Sequence, residues 1–411
     1  MTTTFSSLGI SEWLSNALTS LSLTSPTPIQ KLCVPTILDG SSCIGGAKTG
    51  SGKTIAFALP ILQAWSRDPC GIYAVILTPT RELALQIAEQ FAALGAPMNL
   101  KYVTILGGQD MTTQSIALSH RPHIVIATPG RLADHIRSDK VFLKKVKFLV
   151  LDEADRLLME TFARDLEVIM NEIPSTRQTL LFTATITEDI RLISEAKKIP
   201  LHDVTNKLAV PESLTQKYLL LPSHVKDAYL HVLLQSYPEN SIIIFTNTIR
   251  TATVLPLLLR KLEYRVTSLN SSLSQQIRID NLHRFRASAA RILVATDVAS
   301  RGLDIPVVDL VINYELPRDP DDYIHRVGRT ARAGRGGEAV SIVTERDVLL
   351  VKSIEERVGS EMEKVEIKDK HVLEVAVKVS GMKREAILEI EKNEDRRIGK
   401  KRKRGSGKRT D

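Results

Sequence analysis

The chain is poor in cysteine, with only Cys33, Cys43 and Cys70 in 411 residues. Their number is odd, and none stands at metal-ligand spacing from another or from a histidine. That excludes a disulfide scaffold and a zinc site and points to a reducing compartment. Apolar runs long enough to span a bilayer are missing, so no membrane is expected among the partners. The first five residues, from Met1 to Phe5, have neither the basic start nor the apolar middle of a secretory signal. No short-period repeat is visible. The body has no excess of either charge: residues 396–411 hold nine of the 55 basic residues and one of the 47 acidic ones, which leaves 46 of each sign elsewhere. The net charge of +8 therefore belongs to a short tail. An anionic partner of the body must be held by local patches.

What is present is a long, ordinary globular composition, 43% hydrophobic and 25% charged. A chain of this length is too long for one core and implies two or three domains. Short β-branched runs predict strands at 72–78, 102–106, 123–128, 148–151 and 179–183, and again at 218–221, 242–246, 265–269, 292–296, 310–313 and 339–343. Amphipathic stretches such as 81–94 and 163–171 lie between them. This alternation predicts an α/β fold, two parallel sheets covered by helices on both faces. The stretch 198–213 has two prolines and weak periodicity. It contains the linker, placed at 203–213, between a first domain of residues 1–202 and a second of 214–365. A helical extension over 366–392 and a basic tail over 393–411, too polar to bury a core and expected to be disordered, follow.

Two constellations carry chemistry. "AKTGSGKT" (47–54) comes after a short apolar run and before a helical segment. Glycines there let backbone amides and a helix N-terminus wrap a phosphate chain. Lys53 would reach the outer phosphates and Thr54 would bind Mg2+. Ala47, Lys48, Thr49, Gly50, Ser51 and Gly52 form the rest of the loop. The consensus loop begins with glycine, and Ala47 stands in that place. The second constellation, Asp152 and Glu153, follows the buried run 148–151. Two adjacent carboxylates repel, so folding alone explains them poorly. At a strand end beside a phosphate loop, Asp152 would complete the Mg2+ site. Glu153 would orient and deprotonate the attacking water.

"DEAD" (152–155) together with "AKTGSGKT" resembles the DEAD-box family of ATP-dependent RNA helicases, and the resemblance runs from Phe5 to about Val358. It implies two tandem RecA-like domains with the nucleotide in the cleft between them. "SPTPIQ" (25–30) resembles the family's adenine-reading segment, with Gln30 on the adenine edge and Phe5 as its aromatic support. Leu23 stands where the family has a stacking aromatic. "PTREL" (79–83), "GG" (107–108) and "TPGR" (128–131) resemble its RNA-backbone motifs, which implies that Arg81, Gly108, Thr128 and Arg131 contact RNA. Hydroxyls, small residues and arginine suit phosphate and sugar contacts, which carry no sequence information. "TAT" (183–185) replaces the commoner Ser-Ala-Thr. Thr183, Thr185, Asp155 and His325 are the expected coupling residues between the domains.

"TDVASRGLDIP" (296–306) and "HRVGRTAR" (325–332) match the late motifs. They imply Gly302 and Asp304 at the nucleotide, with Asp304 on the ribose, and Thr296 and Arg278 at RNA. Arg329 and Arg332 would meet the charge on the γ-phosphate. Asn270-Ser271 stand where His-Gly is common, while Gln275 and Arg278 keep their spacing. A P-loop kinase or GTPase would need only the first domain, and a DNA helicase lacks "PTPIQ". A third rival, an ATP-dependent RNA clamp without unwinding, shares the same site. The short arm, the "TAT" variant and the Lys/Arg tail resemble the family's nucleolar subgroup that helps assemble the small ribosomal subunit. That implies ATP and Mg2+ as cofactors, precursor rRNA and a protein activator within pre-ribosomes as partners, a monomeric core, and residence in the nucleus and nucleolus.

Overall fold

The structure, a computed structural model, describes residues 3–48, 50–138, 143–204, 210, 213–297, 305–331, 336–367 and 369–406, with the backbone alone at 369 and 393–406. The chain divides into two compact units, the first reaching Lys207. Each is built on one sheet of seven parallel strands.

The first sheet holds β1 (Cys43–Gly46), β2 (Ala74–Leu77), β3 (Tyr102–Ile105), β4 (Ile124–Ala127), β5 (Phe148–Asp152), β6 (Gln178–Thr183) and β7 (Leu201–Asp203), in the order β3-β4-β2-β5-β6-β1-β7. Its central strands are continuous apolar runs because helices cover both faces. One face buries Phe57, Phe91 and Phe182, with the Phe57 and Phe182 rings 5.2 Å apart. The other buries Leu132, Leu149, Leu157 and Ile169. Two strands differ from the sequence expectation. β1 reads "CIGG", a poor strand by propensity. Its glycines are required by close approach, since a β-carbon on Gly45 would lie 2.6 Å from the Phe182 ring and one on Gly46 2.6 Å from Ile186. β7 lies in the stretch 198–213 that contains the expected linker, and it pairs with β1 at Ile44↔Leu201.

The second sheet holds β8 (Leu214–Leu220), β9 (Ile242–Phe245), β10 (Val266–Leu269), β11 (Ile292–Ala295), β12 (Leu310–Asn313), β13 (Gly337–Val343) and β14 (Glu363–Lys364), in the order β10-β11-β9-β12-β13-β8-β14. Strand for strand this repeats the first sheet, with β8 in the place of β1, β9 in the place of β2, and so on to β14. β14 and the early start of β8 are further departures from the expectation. Both are short or polar segments paired at the sheet's edge. Helix Asp369–Ser406 packs against helices Lys226–Gln235 and Ile249–Lys261. It does so through Val372, Val379 and Ala386, buried at a spacing of seven residues. Its backbone is helical as far as Ser406, past the boundary at 393 expected from the sequence. Lys, Arg and Glu are good helix formers and extend a helix already nucleated by packing.

Candidate nucleotide and RNA site

In the first unit the candidates lie just past the carboxyl ends of the strands, the edge where parallel sheets hold ligands. The sheet order sorts them. The neighbouring strands β5, β6 and β1 lead into Asp152, Thr183 and Ala47, the phosphate and metal candidates. On the other flank β2, β4 and β3 lead towards Arg81, Thr128 and Gly108, the RNA candidates.

The phosphate loop turns at Gly50 and Gly52, with φ of 80° and 84°. These values lie in the left-handed region that favours glycine. Ala47 lies outside that region, so its β-carbon costs nothing where the consensus has glycine. Gln30 braces the loop: its Nε2 donates to the Gly52 carbonyl at 3.0 Å while its Oε1 accepts from the Thr27 amide at 2.9 Å. The amide group keeps one hydrogen and one lone-pair position beyond those bonds, enough for a base edge. The Lys53 ammonium donates to the carbonyls of Ala47 and Lys48, which holds it across the loop. Lys48 and Thr54 belong to the same half-buried loop and helix start. The Ser51 hydroxyl is buried without a hydrogen-bond partner among the described residues, and a phosphate oxygen would satisfy it.

Asp152 ends β5, is 4% exposed, and accepts from the Glu153 amide at 3.1 Å. Burial pushes its pKa up to about 6, although the Lys53 ammonium pulls the other way. A desolvated carboxylate of this kind is stabilised by a cation. Among the described residues no group of three or more His, Cys, Asp or Glu could hold a metal ion. The lone buried carboxylate of Asp152 beside the phosphate loop fits Mg2+, which takes one or two carboxylates and completes its shell with water and phosphate oxygens. Glu153 has φ 54°. A left-handed backbone at a non-glycine residue is strained by roughly 1–3 kcal/mol and is concentrated at functional sites. The strain turns the strand end abruptly into the short helix Ala154–Leu157. Asp155 accepts from the Thr185 hydroxyl at 2.7 Å. Thr183 shapes the same turn, donating to the Thr185 carbonyl at 2.8 Å and accepting the Thr185 amide at 3.2 Å. Thr185 thus reaches Asp155, and Thr183 holds Thr185 in place.

On the other flank the Arg81 guanidinium lies against the glycine pair. A β-carbon on Gly108, whose φ is 80°, would come within 2.4 Å of Arg81 Nη1. Thr128 precedes helix Pro129–Arg137, and Arg131 on that helix contacts Met111 Sδ at 3.2 Å. A buried polar chain ties these pieces together. His135 Nε2 bonds Gln114 Oε1 at 3.1 Å, and Gln114 Nε2 donates to the Leu106 carbonyl at 2.8 Å, just before the glycines. Neither residue stands in a motif.

Phe5 is 5% exposed within the apolar core, so its ring supports by packing. Leu23 packs half-buried against the same core. Gln63, also outside any motif, fastens this arm to the helix of the phosphate loop. It accepts from the Ser11 amide at 2.7 Å and donates to the Gly9 carbonyl at 2.8 Å.

In the second unit Thr296 follows β11, the counterpart of β4, and its buried hydroxyl has no hydrogen-bond partner among the described residues. Arg278 lies on helix Gln275–Arg286, which follows β10, the counterpart of β3. The RNA candidates of both units therefore occupy corresponding flanks. Of the arginines in "HRVGRTAR", Arg326 is wholly engaged within the unit. It grips Asp297 at 2.6 and 2.9 Å, donates to the Glu315 carbonyl at 2.7 Å and Asn247 Oδ1 at 2.8 Å, and also bonds Asn313. Arg329 and His325 are buried. Thr49, Gly302, Asp304 and Arg332 lie outside the described residues.

The DEAD/DEAH box helicase family matches residues 27–193, and the helicase conserved C-terminal domain matches residues 225–334. The chain is 54% identical to ATP-dependent RNA helicase DBP8 of Debaryomyces hansenii, a match over 98% of this chain and 95% of that relative. It is 56% identical to ATP-dependent RNA helicase dbp8 of Schizosaccharomyces pombe, over 98% and 92%. The structure of S. cerevisiae Dbp5 bound to RNA and ADP BeF3 is similar with a TM-score of 0.80 at 29% identity, covering 92% of this chain and 99% of the other. That of Mss116p bound to ssRNA and AMP-PNP has a TM-score of 0.81 at 30% identity, covering 92% and 83%.

Proposed function

The chain belongs to the DEAD-box family of ATP-dependent RNA helicases, and we propose that the RNA it remodels is precursor rRNA of the small ribosomal subunit. Supporting this reading are the Thr-Ala-Thr turn and the nine basic residues of 396–411, shared features of the nucleolar subgroup the chain resembles. In this reading the protein works in the nucleus, concentrated in the nucleolus, as a monomeric core stimulated by a protein activator of the pre-ribosome.

The chain's own residues divide the work. Lys53 leaves the loop carbonyls for the outer phosphates of ATP, and Gln30 meets the adenine edge while bracing Gly52. Thr54 and Asp152 would hold Mg2+, which would supply neutralisation of phosphate charge. Glu153 orients the attacking water and takes its proton. Arg329 and Arg332 meet the charge of the transferred phosphoryl group, and Asp304, with Gly302 nearby, holds the ribose. Arg81, Gly108, Thr128, Arg131, Arg278 and Thr296 hold the RNA backbone. The family resemblance implies that ATP and RNA each strengthen the binding of the other. Asp155, Thr183, Thr185 and His325 carry that coupling.

The observation that carries the helicase mechanism is the repeated strand order, which puts RNA candidates on matching flanks of both sheets. Crosslinking the protein to cellular RNA and mapping the positions tests the substrate. Crosslinks gathered on small-subunit rRNA precursor are expected. A spread over messenger RNAs without enrichment there would refute the assignment.

A further inference from the structure

The second unit has a cavity of about 340 Å3 that none of the nucleotide or RNA candidates lines. It opens between the first turns of helices Lys226–Gln235 and Ile249–Lys261 and the middle of Asp369–Ser406, beside Tyr314 and Glu315 just past β12. We propose that it binds an acidic peptide segment of a partner protein, a Glu or Asp side chain lodged beside an aliphatic one.

The balance of donors and acceptors points to this occupant. Both wall carboxylates are already engaged. Asp227 accepts from Tyr314 OH at 2.9 Å and from Lys383 Nζ at 2.6 Å. Glu315 accepts from the Thr251 hydroxyl at 3.0 Å and from the Asn247 amide at 2.6 Å. Two cations are not so engaged. The Lys226 ammonium lies 4.6 Å from the centre of the Tyr314 ring, with no hydrogen-bond acceptor among the described residues. Arg250, on the exposed rim, has none either. Burial depresses the Lys226 pKa, although the carboxylates of Glu315, Asp347 and Asp227 pull the other way without hydrogen-bonding the ammonium among the described residues. Both helices also direct their positive N-terminal ends at the cavity.

The remaining wall decides among anions. Val254, Leu255 and Ile387 make it apolar, which suits an aliphatic side chain and offers a polyphosphate nothing. A nucleobase needs an open aromatic face, and Tyr314 is 6% exposed beneath Lys226. One carboxylate with an aliphatic neighbour matches both the two spare cations and the apolar wall.

The test uses the full chain and a fluorescently labelled peptide of alternating Glu and Leu, with its Gln and Leu counterpart as control, followed by anisotropy. The Glu peptide is expected to bind and the Gln peptide to bind at least about tenfold more weakly, as the loss of a charge-assisted hydrogen bond implies. Arg250→Glu and Lys226→Met should each weaken the Glu peptide by a similar factor and leave RNA-stimulated ATP hydrolysis unchanged. Should Lys226→Met fail to fold, Arg250→Glu on the exposed rim decides alone. Equal binding by wild type and Arg250→Glu would overturn the proposal and place the peptide on the basic segment 396–411. Displacement of the peptide by single-stranded RNA would overturn it too, because the cavity would then belong to the RNA path.

Discussion

Replacing Asp152 by asparagine should make the nucleotide-free protein more stable at neutral pH, although it removes a metal candidate. Asp152 is 4% exposed, and burial pushes its pKa from the ordinary 3.8 up to about 6. In the unfolded chain the group ionises normally, so above pH 6 the folded state carries a desolvated charge that the unfolded state does not. The gap between those two values is worth about 3 kcal/mol at pH 8. The side-chain oxygen of the asparagine would keep the bond from the Glu153 amide, which reaches Asp152 at 3.1 Å. Lys53 does not depend on the carboxylate, because the carbonyls of Ala47 and Lys48 hold it. The opposing pull of Lys53 is already contained in the value of about 6.

Sign and window follow from the raised pKa. The protonated group favours folding, so the stability it contributes is fully present below 3.8 and is lost as pH rises through about 6. The uncharged asparagine escapes that loss. Its advantage over wild type should be largest at pH 7–8 and should shrink as pH falls from about 6 towards 4. For a unit of this size the gain corresponds to a rise in Tm of roughly 6–12 °C. Both tryptophans, Trp13 and Trp65, belong to the first unit, so their fluorescence follows the melting of that unit. The melts are run without nucleotide and with chelator. An Asp152→Asn protein that melts at or below wild type at pH 8 would refute the reasoning. So would a gain equally large at pH 4.5.

Glu153→Gln should bind ATP and retain RNA in its presence but scarcely release phosphate; wild-type turnover in an RNA-stimulated phosphate assay would remove Glu153 from the mechanism. Arg329→Ala and Arg332→Ala should each lower RNA-stimulated hydrolysis on the order of a thousandfold, as loss of an arginine finger does, and a drop below tenfold in both would mean the arginines serve another purpose. Deleting residues 396–411 removes nine basic groups. If they touch single-stranded RNA, the slope of log affinity against log salt should flatten by about 0.7 for each phosphate no longer neutralised, and coincident slopes for full-length and truncated protein would rule out that contact.

The candidate nucleotide residues could be singled out in the sequence because phosphate and a divalent cation would dictate residue types at fixed spacing. "AKTGSGKT" and "DEAD" can be read one after the other along the chain. Long-range placement left no such trace. Gln63 is joined to Ser11 and Gly9 across 52 and 54 residues of chain, and Gln114 to His135 across 21. A buried glutamine has no periodicity to betray it, so nothing in the sequence marks these residues as braces of the loop and of the RNA flank. The choice of Thr185 over Thr183 as the partner of Asp155 depends on a turn whose geometry the letters "TAT" do not contain. β1 escaped because the residues that let Phe182 and Ile186 approach it are the glycines that weaken strand propensity.

The repeated strand order was hidden for a related reason. A parallel sheet asks of its strands only short apolar runs, so two sheets can share one topology with little residue-by-residue likeness. The consequence is functional. Since β9, β10 and β11 take the places of β2, β3 and β4, the carboxyl ends on one flank of each sheet carry the RNA candidates in both units. In the first unit that flank supplies Arg81, Gly108, Thr128 and Arg131; in the second it supplies Arg278 and Thr296. The phosphate flank is not duplicated in the same way. The counterpart of β1, β8, leads into "LPSHVK" (221–226) and not into a glycine loop. The glycine loop thus belongs to one unit, while the flank that carries the RNA candidates recurs in both, so the two like topologies are unequal in what their strand ends can hold.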